Sequence, residues 1–112
     1  MNTIELLTAL KAANDGASDY AIAKKLGIQP QTIYHWRAGR FGMSDEIGLR
    51  TAQELGLDPA KVLIDLHIER EKGNATSHVW RDIGRRLEMA AMPVVVGLVG
   101  YGLGAFVVNP LI

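Results

Sequence analysis

The stretch SDYAIAKKLGIQPQTIYHWRAG, residues 18–39, contains the start and end signals of two helices. Ser18 can N-cap a helix, and Asp19 is favourable in the first turn of that helix. Gly27 predicts the end of the helix, because glycine adopts a positive φ at little cost. A second helix can begin at Pro30, since a first turn does not need the N–H that proline lacks. The stretch therefore predicts two short helices joined by a tight turn.

Apolar residues in the same stretch indicate which sides of the two helices are buried. Ile33 and Trp36 are three residues apart, so they share one face of the second helix. Ala23 is small, as is needed where two helices cross closely. Ile28 directly follows the turn and can be buried. This pattern predicts that the two helices pack against a common core.

The rest of residues 1–73 predicts three further helices and no strand. Asn2 and Glu5 have capping-box spacing before a helix that runs to about Ala13. Ser44 can cap a fourth helix that ends at Gly56. The apolar side of this fourth helix is predicted to consist of Ile47, Leu49, Ala52 and Leu55. Asp58-Pro59 begins a fifth helix that ends near Lys72-Gly73. The fold class is therefore predicted to be all-α.

These features resemble the lambda-repressor-like (Cro/Xre-type) helix-turn-helix family over about residues 2–70. The resemblance implies a five-helix DNA-binding domain. A narrower group of small phage-related helix-turn-helix proteins is similar in the following segments: SDYAIAKKLG, YHWRAGR, MSDEIGLRTAQELGLDPAKVL and HIERE. That likeness implies a phage or prophage origin and DNA binding, from which we expect a transcriptional regulator.

The resemblance also implies which residues contact DNA bases. In this family the third helix lies in the major groove and its early residues touch base edges. The matching positions here are Pro30, Gln31, Thr32 and His35. Gln31 can pair with adenine through two hydrogen bonds, and the methyl group of Thr32 can touch thymine. Pro30 departs from the family pattern, because it offers no donor to a base.

Phosphate contacts are implied for a second set of residues. Tyr34 and Arg37 are expected nearer the DNA backbone, and Tyr20 begins a helix whose N-terminus contacts phosphate in this family. Asp19 departs from the glutamine often found there, and an acid facing phosphate is unfavourable. The remaining candidates are Lys24, Lys25, Arg40 and Arg50. Lys24 and Lys25 are equally consistent with a solvated helix face.

Charge along the chain supports a DNA-binding segment, although the total is balanced. The 112 residues hold 12 Lys/Arg and 12 Asp/Glu, which argues against a uniformly basic nucleic-acid-coating protein. Between Tyr20 and Ser44, however, there are four Lys/Arg and no acid. A single module of this size binds DNA weakly, so the expected partners are a double-stranded operator and a second copy of the chain.

The last part of the chain is apolar. Residues 74–88 predict a basic amphipathic joint helix, with Val79, Trp80, Ile83 and Leu87 on one side. Residues 89–112 carry no charge. Twenty of them, 89–108, would span about 30 Å as a helix, which matches the thickness of a bilayer core.

Two interpretations of this apolar segment stay open. The first is a transmembrane anchor, in which the preceding arginines keep residues 1–73 in the bacterial cytoplasm at the inner membrane. Four glycines and a proline between Met89 and Val108 favour it, because membrane helices tolerate them better than soluble helices do. The second is a soluble dimerisation helix or an apolar hairpin buried against another copy.

No residue pattern indicates an enzyme. The chain has no cysteine, and its three histidines lack the spacing of a metal site. No phosphate-binding glycine loop is present. We therefore expect no catalytic activity, no metal and no cofactor. Two functions remain: a DNA-binding regulator, or a membrane-associated phage protein whose helical body binds a protein partner in assembly, superinfection exclusion or inhibition of a host factor.

Overall fold

Local capping signals set the boundaries of most helices in the structure, which is a computed structural model. It describes the backbone of residues 1–100 and the side chains of residues 1–89. The helices are α1 (Thr3–Ala13), α2 (Asp19–Leu26), α3 (Pro30–Arg37), α4 (Asp45–Leu55), α5 (Pro59–Arg70) and α6 (Ser77–Gly100). The described residues contain no strand, which agrees with the predicted all-α class.

The predicted N-caps are present. Asn2 and Glu5 form a reciprocal capping box at the start of α1. The hydroxyls of Ser18 and Ser44 accept hydrogen bonds from backbone N–H groups in the first turns of α2 and α4. Asp58 caps α5, which ends at Arg70, slightly before the predicted end. Each cap stabilises its helix by about 1 kcal/mol.

The core lies where α1 to α5 converge. Its side chains are Leu6, Leu7, Leu10, Ile22, Ala23, Leu26, Ile33, Trp36, Met43, Ile47, Ala52, Val62 and Leu66. Ile33 and Trp36 point inward as predicted, and Ile28 packs at the edge of the core. Leu49 was predicted to be buried, but it is exposed, because α4 turns Gly48 and Ala52 toward its neighbours instead.

The final helix continues beyond the predicted joint, residues 74–88. It runs without a break from Ser77 to Gly100, so the joint and the start of the apolar segment form one helix. Its contact with α5 includes Trp80 and Gly84, whereas Val79 and Leu87 are exposed. Of the four apolar residues predicted to share one side of this helix, Trp80 lies against His67 of α5, while Val79 and Leu87 are exposed to solvent.

The predicted transmembrane segment, residues 89–108, lies partly outside the described residues. Among the helices that the structure describes, none has the length and apolarity needed to cross a membrane.

Candidate nucleic-acid interface

A tight turn joins α2 to α3 and fixes their relative orientation. Gly27 has a φ of 72°, which is in the left-handed region that favours glycine. The N–H of Ile28 donates to the carbonyl of Ala23 at 3.0 Å, which closes the end of α2. Pro30 then occupies the first turn of α3. The chain thus reverses within a few residues and presents α3 next to α2.

The two faces of α3 have opposite character. Ile33 and Trp36 are buried in the core. Gln31 and Tyr34 are exposed, and His35 is half-buried, on the side of the helix away from the core. Tyr34 was expected at the flank of α3, yet it shares this outward side with Gln31 and His35. The outward face of α3 therefore presents an amide, a phenol and an imidazole.

The remaining predicted base-contacting residues lie at the start of α3. Pro30 is exposed and Thr32 is half-buried, so Thr32 sits nearer the edge of the outward face. The structure thus brings Gln31, Tyr34 and His35 together, with Pro30 and Thr32 beside them.

An ion-pair cluster joins the first three helices. Arg37 donates two hydrogen bonds to Asp19, from Nε at 2.7 Å and from Nη2 at 2.8 Å. Lys11 Nζ donates to the same carboxylate at 2.9 Å. These bonds, chiefly those from Arg37, hold the pKa of Asp19 well below its ordinary value, although partial burial opposes the shift. Asp19 therefore stays charged and is neutralised by two bases.

This cluster changes the interpretation of Asp19 and Arg37. An isolated Asp19 would repel a phosphate, but the paired carboxylate does not present a free negative charge. Arg37 in turn has two of its N–H donors occupied by Asp19. The remaining N–H donors of Arg37 can contact a phosphate while the pair with Asp19 is kept.

The segment between Tyr20 and Ser44 contains no acid, but acids from other segments pair with two of its bases in the structure. Lys25 pairs with Glu54 of α4 at 3.2 Å, and Arg37 pairs with Asp19. Lys24 and Arg40 have no carboxylate partner among the described residues. Lys24 and Arg40 are therefore the two cations of this segment that are open to phosphate.

Two further predicted contacts have distinct surroundings. Tyr20, in the first turn of α2, is 67% exposed. Arg50 donates to the carbonyl of Leu26 at 2.8 Å and pairs with Glu46. Tyr20 thus remains accessible to DNA, whereas Arg50 is used to tie α4 to the end of α2.

A cluster of four side chains, which we call the imidazole cluster, lies where α3 ends: Tyr34, His35, Arg40 and Phe41. The rings of Tyr34 and Phe41 lie 5.7 and 5.4 Å from the ring of His35, centroid to centroid. Arg40 Nη1 lies 2.9 Å from His35 Nδ1, and its guanidinium carbon lies 5.6 Å from the Tyr34 ring centroid. Sequence reasoning missed Phe41, which is 51% exposed.

The loop that carries Phe41 is anchored on both sides. The hydroxyl of Thr3 accepts from the N–H of Met43 at 2.8 Å and donates to Glu69 at 2.7 Å. Arg70 donates to Asp45 at 2.7 Å just beyond the loop. These bonds connect the loop to α1 and α5, so the exit from α3 is held by the body of the domain.

Comparison with known families gives one match, to the first part of the chain. Residues 3–44 match the homeodomain-like domain, a helix-turn-helix fold, and the match covers α1, α2, α3 and the loop to Ser44. The segment has a helix-turn-helix arrangement, and its similarity to this family model supports a DNA-binding helix-turn-helix family. Searches of the curated proteins and of the solved structures found no match.

Proposed function

We propose that this protein is a sequence-specific DNA-binding transcriptional regulator that places α3 in the major groove of a double-stranded operator. The observation that carries the proposal is the outward face of α3, where Gln31, Tyr34 and His35 are displayed on a helix-turn-helix domain. Amide and imidazole groups on such a helix are suited to the donors and acceptors at base edges.

Base contacts are proposed for the outward face and the first turn of α3. Gln31 is exposed and can form two hydrogen bonds to adenine. His35 offers one further hydrogen-bonding atom in the next turn of the helix. Thr32 and Pro30 would add apolar contacts at the edge, for example to a thymine methyl group.

Phosphate contacts are proposed first for Lys24 and Arg40, which lack carboxylate partners in the described part of the chain. Tyr20 and Tyr34 would donate through their hydroxyls, and Lys25 and Arg37 would contribute only the charge that Glu54 and Asp19 leave. This limited positive charge predicts weak binding to arbitrary DNA. Specific binding would then require two copies on a two-fold site.

Residues of α6 support the proposed homodimer. Val79, Ile83 and Leu87 recur every four residues, so they form one stripe along the helix. Val79 is 45% exposed and Leu87 is 39% exposed. This stripe lies beside the surface that α5 covers and could pack against the same stripe of a second copy.

The phage or prophage origin and the membrane anchor rest on the sequence. The phage origin follows from the likeness of four sequence segments to small phage-related proteins. The anchor would comprise residues 89–108 and hold the helix-turn-helix domain on the cytoplasmic side of the inner membrane. It is tested by fractionation: a spanning anchor requires detergent for release, whereas release by high salt alone contradicts it.

DNase footprinting on the DNA that flanks the gene tests the proposed function. We expect the full-length protein to protect one site with approximate two-fold symmetry. Gln31→Ala should need a higher protein concentration to give the same protection, while Leu49→Ala, an exposed position on α4, should protect the site as the wild type does. Absence of any protected site for the wild-type protein would contradict the proposal for this DNA.

A second candidate function is binding to a protein partner. The observation in its favour is that acids neutralise Lys25 and Arg37, while an apolar stripe on α6 remains uncovered in the described part of the chain. Two double variants distinguish the functions, with the cellular phenotype of the wild-type protein as the readout. The protein-partner function is supported over DNA binding if Lys24→Ala with Arg40→Ala keeps this phenotype and Val79→Asp with Leu87→Asp abolishes it.

A further inference from the structure

The hydrogen bond within the imidazole cluster determines which nitrogen of His35 carries a proton. Arginine is a donor only, because its guanidinium group stays protonated in proteins. Arg40 Nη1 lies 2.9 Å from His35 Nδ1, so Nδ1 must supply the accepting lone pair. A neutral imidazole with an accepting Nδ1 carries its proton on Nε2. Arg40 thereby selects the Nε2–H tautomer of His35.

The second nitrogen of His35 is open to a ligand. Nε2 has no hydrogen-bond partner among the described side chains and backbone groups. Unlike Nε2 of His67, Nε2 of His35 is not buried. The half-buried His35 ring therefore exposes this nitrogen to solvent. The outward face of α3 therefore presents a single N–H donor at this position.

The backbone brings Arg40 to His35 and keeps it there. Gly39 has a φ of 73°, and the N–H of Arg40 donates to the carbonyl of His35 at 3.0 Å. This is the Schellman arrangement, in which the residue after the left-handed glycine folds back over the last turn of the helix. It places the Arg40 side chain directly against the His35 ring.

Aromatic rings restrict the orientation of the imidazole. Tyr34 directly precedes His35, and Phe41 follows it by six residues. Their ring centroids lie 5.7 and 5.4 Å from the ring centroid of His35. Arg40 also lies over Tyr34, which fixes the guanidinium as well as the imidazole. A ring held in this way loses little conformational freedom when it binds, so its donor is pre-organised.

We infer that His35 is a specificity-determining residue that donates from Nε2–H to a hydrogen-bond acceptor on a base edge in the major groove, with Arg40 as its positioning residue. The inference rests on the proposed DNA-binding function and specifies the chemistry of one contact. N7 of either purine, O6 of guanine and O4 of thymine are such acceptors. The major-groove edge of cytosine presents a donor instead, so a cytosine facing His35 is disfavoured.

Nuclear magnetic resonance of the free full-length protein tests the tautomer without DNA. The ring ¹⁵N signals of His35 should show a protonated Nε2 and an unprotonated Nδ1 at neutral pH. Arg40→Met removes the donor but keeps an unbranched side chain, and it should shift His35 toward a mixture of tautomers. A protonated Nδ1 in the wild-type protein, or an unchanged tautomer in Arg40→Met, would overturn the role assigned to Arg40.

Paired substitutions of His35 test the base contact. The probe is the duplex that the wild-type full-length protein selects from a randomised DNA library. Gln places an amide donor close to the position of Nε2, whereas Asn places its amide close to Nδ1. His35→Gln should therefore retain affinity within about threefold, and His35→Asn should lose about fivefold to tenfold, the effect of one hydrogen bond.

The acceptor atom is identified on the same duplex. Replacing a single purine by its 7-deaza analogue, which lacks N7, should weaken wild-type binding at one position and leave His35→Ala unaffected there. If no 7-deaza position behaves so, O6 and O4 are tested with 2-aminopurine and 5-methyl-2-pyrimidinone. The base contact would be overturned if His35→Ala remained as sensitive as the wild type to the removal of every one of these atoms.

The outcomes separate the two proposals. If the wild-type protein selects no duplex, the proposed DNA-binding function fails and the base contact fails with it. If the wild-type protein selects a duplex and His35→Asn binds it as well as His35→Gln, only the inference about His35 fails.

Discussion

The outward face of α3 and the seam between α5 and α6 each hold an imidazole against an aromatic ring. His35 lies 5.4 Å from Phe41, and His67 lies 4.2 Å from Trp80, centroid to centroid. The ring nitrogens of the two histidines have different surroundings. His35 accepts a hydrogen bond at Nδ1 and leaves Nε2 accessible, whereas Nε2 of His67 is buried and has no partner among the described residues.

This difference assigns the two regions to different roles. An unpaired buried nitrogen costs about 1–3 kcal/mol, so the α5–α6 seam must be stabilised by its apolar contacts. An accessible donor is solvated by water and costs little until a ligand replaces that water. Histidine next to an aromatic ring is therefore not a functional signal by itself; the accessibility of its free nitrogen is.

The largest expected effect is on stability, at the seam. Trp80→Ala removes the ring that covers His67, and α6 loses much of its contact with α5. We expect the free energy of unfolding to fall by about 2–3 kcal/mol, because the lost ring is large but only half-buried. Urea unfolding of the full-length protein, followed by circular dichroism, measures this change.

Val79→Ala is the matched control on the same helix. Val79 is exposed, so its truncation should change the free energy of unfolding by less than about 0.5 kcal/mol. Equal losses in the two variants would show that the seam does not depend on Trp80.

Gln31→Ala, on the outward face of α3, should change base discrimination but not the stability of the protein. The side chain is exposed and has no partner within the described chain, so unfolding should be unchanged. Discrimination between adenine and other bases at one operator position should fall by about 1–3 kcal/mol. Binding constants for operators substituted at each position measure this. A substantial loss of stability with unchanged base preference would reverse the roles given to the two regions.

Asp19→Asn tests the ion-pair cluster that orients α2 and α3. Because Arg37 lowers the pKa of Asp19 in the folded state, the cluster stabilises the protein above the unfolded pKa of about 4. That contribution is lost as the pH falls through the lower folded pKa. At neutral pH we expect Asp19→Asn to be less stable by about 1 kcal/mol or less, since the pair is partly exposed to solvent.

Unfolding of both proteins from pH 7 to pH 2 provides the measurement. The stability difference between wild type and Asp19→Asn should shrink on acidification. A difference that stays constant across this range would contradict the pairing.

The smallest effect is expected from two adjacent lysines that differ only in pairing. Lys25 is paired with Glu54, whereas Lys24 has no acidic partner in the described residues. Lys24→Ala should reduce the slope of log affinity against log salt by about 1, equally for all DNA sequences. Lys25→Ala should reduce it by less. Fluorescence anisotropy over a salt series measures both slopes, and equal slopes would mean that the Glu54 pair does not limit Lys25.

Features governed by nearby residues were predictable from the sequence. The capping box of Asn2 with Glu5, the Ser18 and Ser44 caps and the left-handed Gly27 each depend on residues within one turn. The inward side of α3 was predictable for the same reason, because the spacing of Ile33 and Trp36 fixes one face.

Features that join distant segments were not predictable. Asp19 meets Arg37 across eighteen positions of sequence, and Lys25 meets Glu54 through the packing of α2 near α4. An absence of acids along the chain therefore overstated the positive charge of the site. Phe41 gave no signal, because an isolated aromatic residue in a loop has no periodicity; only the fold brings it to His35.

Selection from a randomised duplex library with the full-length wild-type protein is the decisive measurement for DNA binding through α3. Sequence-specific binding through α3 predicts that one motif with two-fold symmetry is enriched, and that Gln31→Ala relaxes the motif at one position in each half. A library that remains random after repeated rounds, or an identical motif for wild type and Gln31→Ala, would contradict the assignment of the outward face of α3 as the DNA-binding surface.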